Sequence, residues 1–184
     1  MEDTLSRDQQ TYLLDLARRT IGFYLEKGNA LKEKTNDPAL LEKRGAFVTL
    51  KVDDELRGCI GYPLPHKALF QTIIDCAIAA ATQDFRFPAI KIEELPRLTI
   101  EISVLTLPRT VKDISEITVG EHGIILSKGS HRGLLLPQVP LEWDWDLETY
   151  LNHGCLKAGL AEDEWKKGAT IEIFSAQVFS ESFP

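Results

Sequence analysis

The sequence has 184 residues, 43% of them hydrophobic and 27% charged, and a mean hydropathy of −0.13. This composition predicts one globular domain and excludes intrinsically disordered and collagen-like classes of protein. No apolar run approaches the roughly 18 residues of a membrane-spanning helix. The first residues lack the basic and apolar pattern of a signal peptide, so we expect a cytoplasmic protein.

The balance of charge is acidic, with 21 Lys and Arg against 28 Asp and Glu and a net charge of −7. Such a charge disfavours non-specific binding to nucleic acids and to anionic membrane surfaces. The three cysteines, Cys59, Cys76 and Cys155, lack CxxC spacing. Neither a disulfide framework nor a zinc ribbon is therefore indicated.

The chain begins with the pattern of an amphipathic helix. Ser6 and Gln9 form a capping-box pattern, in which each side chain satisfies the other residue's backbone amide. Apolar residues then recur at helical spacing over 13–24, and Gly28 is a stop signal. We expect this helix to pack its apolar face on the rest of the fold.

The remaining elements alternate irregularly between helices and strands. After a polar connector, the patterns predict a β-hairpin, a second helix that ends before Asp84, a strand, a second hairpin, a third helix capped by Asp146, and a last strand. The connector covers 31–43, and the first hairpin pairs 46–52 with 56–62. The single strand is 98–104, the second hairpin pairs 123–127 with 133–136, and the last strand is 170–179. This order favours an α+β fold with a mostly antiparallel sheet flanked by helices.

The most unusual segment is Leu56-Arg57-Gly58-Cys59-Ile60-Gly61. On a strand, Arg57 and Cys59 share one face, and a guanidinium beside a thiol favours the thiolate, the nucleophilic and metal-binding form. The glycines Gly58 and Gly61 allow a backbone or a ligand to approach closely. The alternative is structural, with Cys59 packed as a small hydrophobic residue and Arg57 in a surface ion pair.

Two further segments carry candidate site residues. Asp84 and Arg86 follow the second helix, where they either bind an anionic substrate or form an ion pair at the end of the helix. Glu101 lies on the polar face of its strand. If that strand neighbours the one with Arg57, Glu101 can pair with Arg57 or act as a general base, although a solvated sheet face explains it equally well.

The histidines and tryptophans leave alternatives open. His122 is the best acid–base candidate among the histidines, although a turn position is the commoner role. His153 and Cys155 supply two metal ligands with no third in view, so no metal site is indicated. Trp143 and Trp145 form either an aromatic recognition surface or core anchors under a loop.

Several common motifs are absent from the sequence. It contains no GxxxxGK[ST], GxGxxG, HExxH or GxSxG pattern. Nucleotide-driven and zincin chemistry are therefore disfavoured, and no cofactor is expected.

The Leu56–Gly61 hexapeptide and several other blocks resemble the AMMECR domain family. The likeness runs from about residue 8 to residue 181 and is carried by the blocks at 45–50, 56–61, 79–81, 84–88, 93–96, 100–105, 120–124, 133–139 and 155–160. Phe85 and Ala89 stand where the family often has proline. These differences alter a turn and leave Arg57, Cys59, Asp84 and Arg86 in place.

The resemblance implies one AMMECR domain over 1–184, built as an α+β fold with a larger and a smaller subdomain and with the hexapeptide near the groove between them. It implies no activity, because members of the family have been treated as proteins of unknown biochemical function. Bacterial and archaeal members often accompany Memo-like proteins and radical S-adenosylmethionine enzymes. This association suggests a modification pathway with those proteins as partners, although function has to be argued from a site.

Three hypotheses follow. The first is an enzyme or enzyme component with a groove around Cys59, acting on a substrate that is either a small molecule or a macromolecule. In it Cys59 is the nucleophile or a metal ligand, a carboxylate or a histidine moves protons, and other residues bind the substrate. The catalytic candidates are Cys59, Arg57, Glu101 and His122, and the substrate-binding candidates are Arg57, Gly58, Gly61, Asp84 and Arg86.

The second hypothesis is a non-catalytic protein-binding or adaptor module, in which Arg57 pairs with Glu101. The third, a specific nucleic-acid reader, is disfavoured by the net charge of −7.

Overall fold

The computed structural model describes residues 4–181. The helices in this range are α1 (Arg7–Lys27), α2 (Pro38–Leu41), α3 (Leu69–Thr82), α4 (Val139–Glu142) and α5 (Leu147–Lys157). The strands are β1 (Ala46–Val52), β2 (Glu55–Tyr62), β3 (Leu98–Leu105), β4 (Arg109–Thr110), β5 (Gly123–Lys128), β6 (His131–Leu135), β7 (Thr170–Phe174) and β8 (Ala176–Ser180). Short 3-10 helices occupy Ile92–Arg97, Ile114–Glu116 and Glu164–Lys167. None of the helices described is both long enough and apolar enough to cross a membrane.

The strands form two four-stranded sheets, and the predicted α+β class is confirmed. The first sheet has the order β2-β1-β3-β8 and the second the order β4-β7-β5-β6. The pairs β1–β2, β1–β3, β4–β7, β5–β6 and β5–β7 are all antiparallel. The chain divides into two compact units, one of residues 4–106 with 177–181 and one of residues 107–176.

The first unit packs α1 and α3 on one face of its sheet. Alternate residues of β1 and β3, such as Val48, Leu50 and Ile100, are fully buried against these helices. Each such side chain contributes about 1.5–3 kcal/mol by leaving water. The intervening residues of the strands therefore lie on the opposite face, which we call the outer face of the first sheet.

The predicted first helix is confirmed together with both of its ends. Ser6 and Gln9 form the capping box, and Gly28 ends the helix in the left-handed conformation with φ 70°. Within the predicted connector the structure adds a short helix, α2, whose first turn is capped by Asp37. This helix was missed because four residues are too few to show a helical period.

The second unit has its own core, made by β5, β7 and α5. Tyr150 of α5 is fully buried, and its hydroxyl lies 3.2 Å from the carbonyl oxygens of His122, Leu135 and Leu136. Because a buried hydroxyl needs a partner, these carbonyls fix α5 against the loops around β5 and β6.

One sequence prediction is corrected at the C-terminal end. The predicted strand over 170–179 is two strands, β7 and β8, which lie in different sheets and are separated by Ser175. The sequence shows a continuous run of strand-forming residues here, without the Gly, Pro, Asn or Asp that usually marks a break.

Candidate functional site

Arg57 lies at a β-bulge in β2. Leu50 of β1 is opposite Gly58 and Lys51 is opposite Leu56, so Arg57 is the extra residue with no partner across the ladder. A bulge re-aims the side chain that it carries. The prediction that Arg57 lies beside Cys59 assumed that side chains alternate regularly between the two faces of β2. The bulge interrupts this alternation at Arg57.

The Arg57 guanidinium binds the segment that follows α3. Its Nε and Nη2 donate to the two carboxylate oxygens of Glu94 at 3.0 and 3.2 Å. Its Nη1 donates to the carbonyl oxygen of Pro88 at 2.5 Å, and Nη2 also donates to that of Ala89 at 3.3 Å. The alternative in which Arg57 pairs with Glu101 is wrong, since Glu101 pairs with Lys51.

Asp84 and Arg86 cover the free edge of β2 at Cys59. The Cys59 N–H donates to Asp84 Oδ2 at 2.9 Å, and Arg86 Nη2 donates to the Cys59 carbonyl at 3.4 Å. The same Arg86 donates to Asp84 from Nε at 2.9 Å and from Nη2 at 2.7 Å. The ion pair thus supplies the acceptor and the donor that a neighbouring strand would otherwise provide.

The charge of Asp84 is maintained by these contacts. The Asp84 side chain is only 3% exposed, whereas that of Arg86 is 48% exposed. Hydrogen bonds from Arg86, together with the Cys59 N–H, hold the pKa of the Asp84 carboxyl well below its usual range despite its burial. The predicted ion pair between these two residues is therefore present, and its carboxylate is committed to the fold.

Cys59 belongs to a polar row across the outer face of the first sheet. Thr49 of β1 is opposite Cys59 of β2 on one side and Glu101 of β3 on the other. We call these three residues the polar row. Because the Cys59 N–H points to Asp84, Thr49 and Cys59 form a non-hydrogen-bonded pair, in which side chains approach more closely. The Thr49 hydroxyl donates to Cys59 Sγ at 3.2 Å.

Lys51 lies beside the polar row and forms an ion pair with its member Glu101. Lys51 Nζ is 3.1 Å from Glu101 Oε2, and their side chains are 34% and 28% exposed. Strands are spaced about 4.8 Å apart, so two strand spacings, about 9.6 Å, separate Glu101 from Cys59. Glu101 is therefore placed to act on a molecule bound across the row and is too far away to accept a proton from the thiol directly.

The glycines of the hexapeptide are explained by close packing. A Cβ on Gly58 would lie 2.1 Å from the carbonyl oxygen of Ala80, because α3 approaches the backbone of β2 here. A Cβ on Gly61 would lie 2.2 Å from the ring of Phe47. These contacts account for both glycines by the packing of the protein on itself.

His122 belongs to the second unit, in the turn before β5. Its Nδ1 accepts a hydrogen bond from the backbone N–H of Thr118 at 2.9 Å. A ring held in this way carries its proton on Nε2 when neutral. His122 is therefore a turn residue, which is the alternative to an acid–base role. The other proposed site residues lie in the first unit.

The three thiols differ in their surroundings. Cys76 and Cys155 are buried in the two cores, and Cys59 is half-buried. Burial raises the pKa of the Cys76 thiol to about 12 and also raises that of Cys155. Among the described cysteines, Cys59 alone is partly open to solvent.

Sequence reasoning missed Thr49, Lys51 and Glu94. The first two were recoverable, because they alternate with the buried residues of β1 and so had to share the outer face. Glu94 lies in the 93–96 block that carries the family resemblance, but the sequence did not indicate its contact with Arg57, which forms only through the tertiary fold.

Comparison with known proteins identifies the family. The chain is 46% identical to Protein MK0488 of Methanopyrus kandleri, over the whole of this chain and 94% of that protein. It is 42% identical to Protein MJ0810 of Methanocaldococcus jannaschii, over 98% of this chain and 94% of that protein. The crystal structure of the uncharacterized protein PH0010 from Pyrococcus horikoshii matches with a TM-score of 0.74 and 43% identity, over 94% of this chain and 91% of that one. The AMMECR1 family model matches residues 14–179. The chain belongs to the AMMECR1 family.

Proposed function

We propose that the chain is a cytoplasmic enzyme or enzyme component whose reactive group is the Cys59 thiol on the outer face of the first sheet. The observation that carries this proposal is the contact of 3.2 Å between Thr49 Oγ1 and Cys59 Sγ. This hydrogen bond holds the sulfur in a fixed orientation on the outer face of the first sheet, from which it can attack a bound electrophile. Cys59 is also the half-buried thiol, in contrast to Cys76 and Cys155.

The roles of the neighbouring residues follow from their contacts. Cys59 is the nucleophile, Thr49 orients its sulfur, and Glu101 with Lys51 binds or exchanges protons with the substrate. Asp84 and Arg86 are positioning residues, because they hold the Cys59 backbone. Arg57 positions the segment that follows α3. His122 is assigned no role in this proposal.

The substrate expected from this arrangement carries an electrophilic carbon and a polar group about 9 Å away, so that it reaches from Cys59 to Glu101 across three strands. Where that carbon is a carbonyl carbon, addition of the Cys59 thiol forms a carbon–sulfur bond as the C=O π bond breaks. The carbonyl oxygen takes the electron pair and the proton released by the thiol, so the covalent adduct forms without a leaving group. The resemblance to the AMMECR domain family extends the proposal to a modification pathway with Memo-like and radical S-adenosylmethionine proteins as partners.

Alkylation of the native protein tests the reactive thiol. Iodoacetamide is added near neutral pH, and modification of each cysteine is followed by peptide mass spectrometry. We expect Cys59 to react before Cys76 and Cys155, and we expect Thr49→Val to slow its reaction by roughly threefold or more. Thr99→Val is the matched control, because Thr99 lies on the same face opposite Lys51.

Two results would overturn the proposal. One is reaction of Cys59 no faster than that of the buried thiols. The other is equal rates for Thr49→Val and Thr99→Val, which would leave Cys59 as a packing residue. Full activity of Cys59→Ser in a pathway reconstituted with the two partner proteins would exclude the catalytic role directly.

A further inference from the structure

A stack of three aromatic rings reaches the surface of the second unit. The ring of Trp145 lies 3.9 Å from that of His153 at an interplanar angle of 4°. Trp143 continues the stack at 6.3 Å and 21° from Trp145. Trp143 is 67% exposed, and the nearby Leu141 is 63% exposed. Large apolar side chains exposed together are typical of a surface that binds a partner.

The turn that presents Trp143 is fixed by its backbone. The Trp145 N–H donates to the carbonyl oxygen of Pro140 at 2.8 Å, and Asp144 has the left-handed φ of 52°. Asp146, the residue after Trp145, caps α5, and its side chain accepts a hydrogen bond from the Thr149 N–H at 2.8 Å. The exposed ring therefore stands on a defined turn, so that little conformational entropy remains to be lost when a partner binds.

The charge around the stack is acidic. Residues 142–148 contain four carboxylates and no lysine or arginine. Asp146 caps α5, and Glu148 pairs with Lys166 at 2.5 Å. Over residues 4–181, no cation lies within ion-pair distance of Glu142 or Asp144. Two exposed carboxylates thus remain beside the exposed tryptophan.

We propose that Leu141, Glu142, Trp143 and Asp144 form a docking surface for a basic segment of a partner protein, with an arginine of that segment stacked on Trp143. A guanidinium packs flat on an indole ring and also pairs with carboxylates. A second copy of this chain fits the surface poorly, because two molecules of charge −7 repel each other. An anionic membrane is disfavoured for the same reason.

Peptide binding to the whole protein tests this surface. The probe is a short capped peptide with two arginines and one leucine, and its counterpart has glutamine in place of each arginine. Binding is followed by NMR. We expect the chemical shifts of the backbone amides of residues 141–145 to change saturably as the arginine peptide is added at low salt. Binding should weaken as salt is added, because exposed charges are screened.

Variants assign the binding to named side chains. Trp143→Ala is expected to weaken the arginine peptide roughly fivefold or more, and Glu142→Gln with Asp144→Asn roughly threefold. Asparagine tolerates the left-handed conformation of residue 144. Phe85→Ala is the control, since Phe85 is 97% exposed but lies in the first unit.

Several results would overturn the docking proposal. These are no binding of the arginine peptide at low salt, equal binding of the glutamine peptide, or unchanged binding by Trp143→Ala. A concentration-dependent dimer that Trp143→Ala abolishes would assign the surface to a second copy instead. None of these results bears on Cys59, because that proposal is tested by alkylation and by the Cys59→Ser variant.

Discussion

The backbone N–H of Cys59 donates to the buried carboxylate of Asp84 over 2.9 Å at the free edge of the first sheet. Arg86 completes this contact by donating both to that carboxylate and to the Cys59 carbonyl. An edge strand ordinarily leaves such groups to water or to another chain. Here a side-chain ion pair fixes the backbone from which the candidate nucleophile projects.

Replacing Asp84 by Asn tests how strongly this pair stabilises the fold. The variant loses its charge-assisted hydrogen bonds and leaves Arg86 without a counter-ion. We expect the free energy of unfolding to fall by about 2–4 kcal/mol, as measured by urea denaturation. The exposed turn residue Asp54 provides the control, and Asp54→Asn should change stability by less than about 0.5 kcal/mol. An equally small effect of Asp84→Asn would contradict this account of the edge.

The stability of the protein should fall in acid, and Asp84 and Glu116 are two of the carboxyls expected to cause this fall. The pKa of Asp84 is lowered by Arg86, and that of Glu116 is lowered to about 2 by Arg109 and by backbone N–H groups. A carboxyl whose pKa is lower in the folded state stabilises the fold above its unfolded pKa, and this stabilisation is lost as the pH falls toward the folded value.

Unfolding measured from about pH 5 down to about pH 2 checks this expectation. Asp84→Asn should flatten the decline, because residue 84 no longer binds a proton on unfolding. Glu116→Gln should flatten it as well, through the loss of its interaction with Arg109. A decline as steep as that of the wild type in both variants would assign acid sensitivity to other groups.

Replacing Gly58 by Ala tests the close approach of α3 to β2. The new Cβ would lie 2.1 Å from the Ala80 carbonyl oxygen, which belongs to the helix backbone and cannot rotate away. We expect a loss of about 3 kcal/mol or more, or failure to fold. Gly22→Ala is the matched control, because its Cβ would meet only the end of the Leu95 side chain at 3.2 Å. Thermal unfolding should show a change within about 1 kcal/mol for this control.

Replacing Arg57 by Lys tests whether the guanidinium is needed for its geometry. A lysine keeps the charge but cannot donate in the planar fork that reaches Glu94, Pro88 and Ala89 together. We expect a loss of about 1–3 kcal/mol and faster amide exchange in residues 84–89. Arg97→Lys, in an ion pair with Asp53 in which both side chains are more than 60% exposed, should cost less than about 0.5 kcal/mol. Equal losses in the two variants would show that only the charge of Arg57 matters.

Most elements were predictable because their signals are local. The capping box of α1, the alternation along β1 and β3, and the cap of α5 at Asp146 depend on residues within one or two turns of each other. The split of the last predicted strand was not predictable, since β7 and β8 share one continuous pattern and separate only because they pair with different sheets.

The sequence by itself determined most of the secondary structure, the α+β class and the resemblance to the family. Only the tertiary structure decided what those residues contact. The bulge at Arg57 turns its guanidinium to Glu94, which lies 37 positions further along the chain, and the strand register aligns Cys59 with Thr49 and Glu101. Such pairings depend on packing between segments distant in sequence, where one inserted residue in a strand changes which face a side chain occupies.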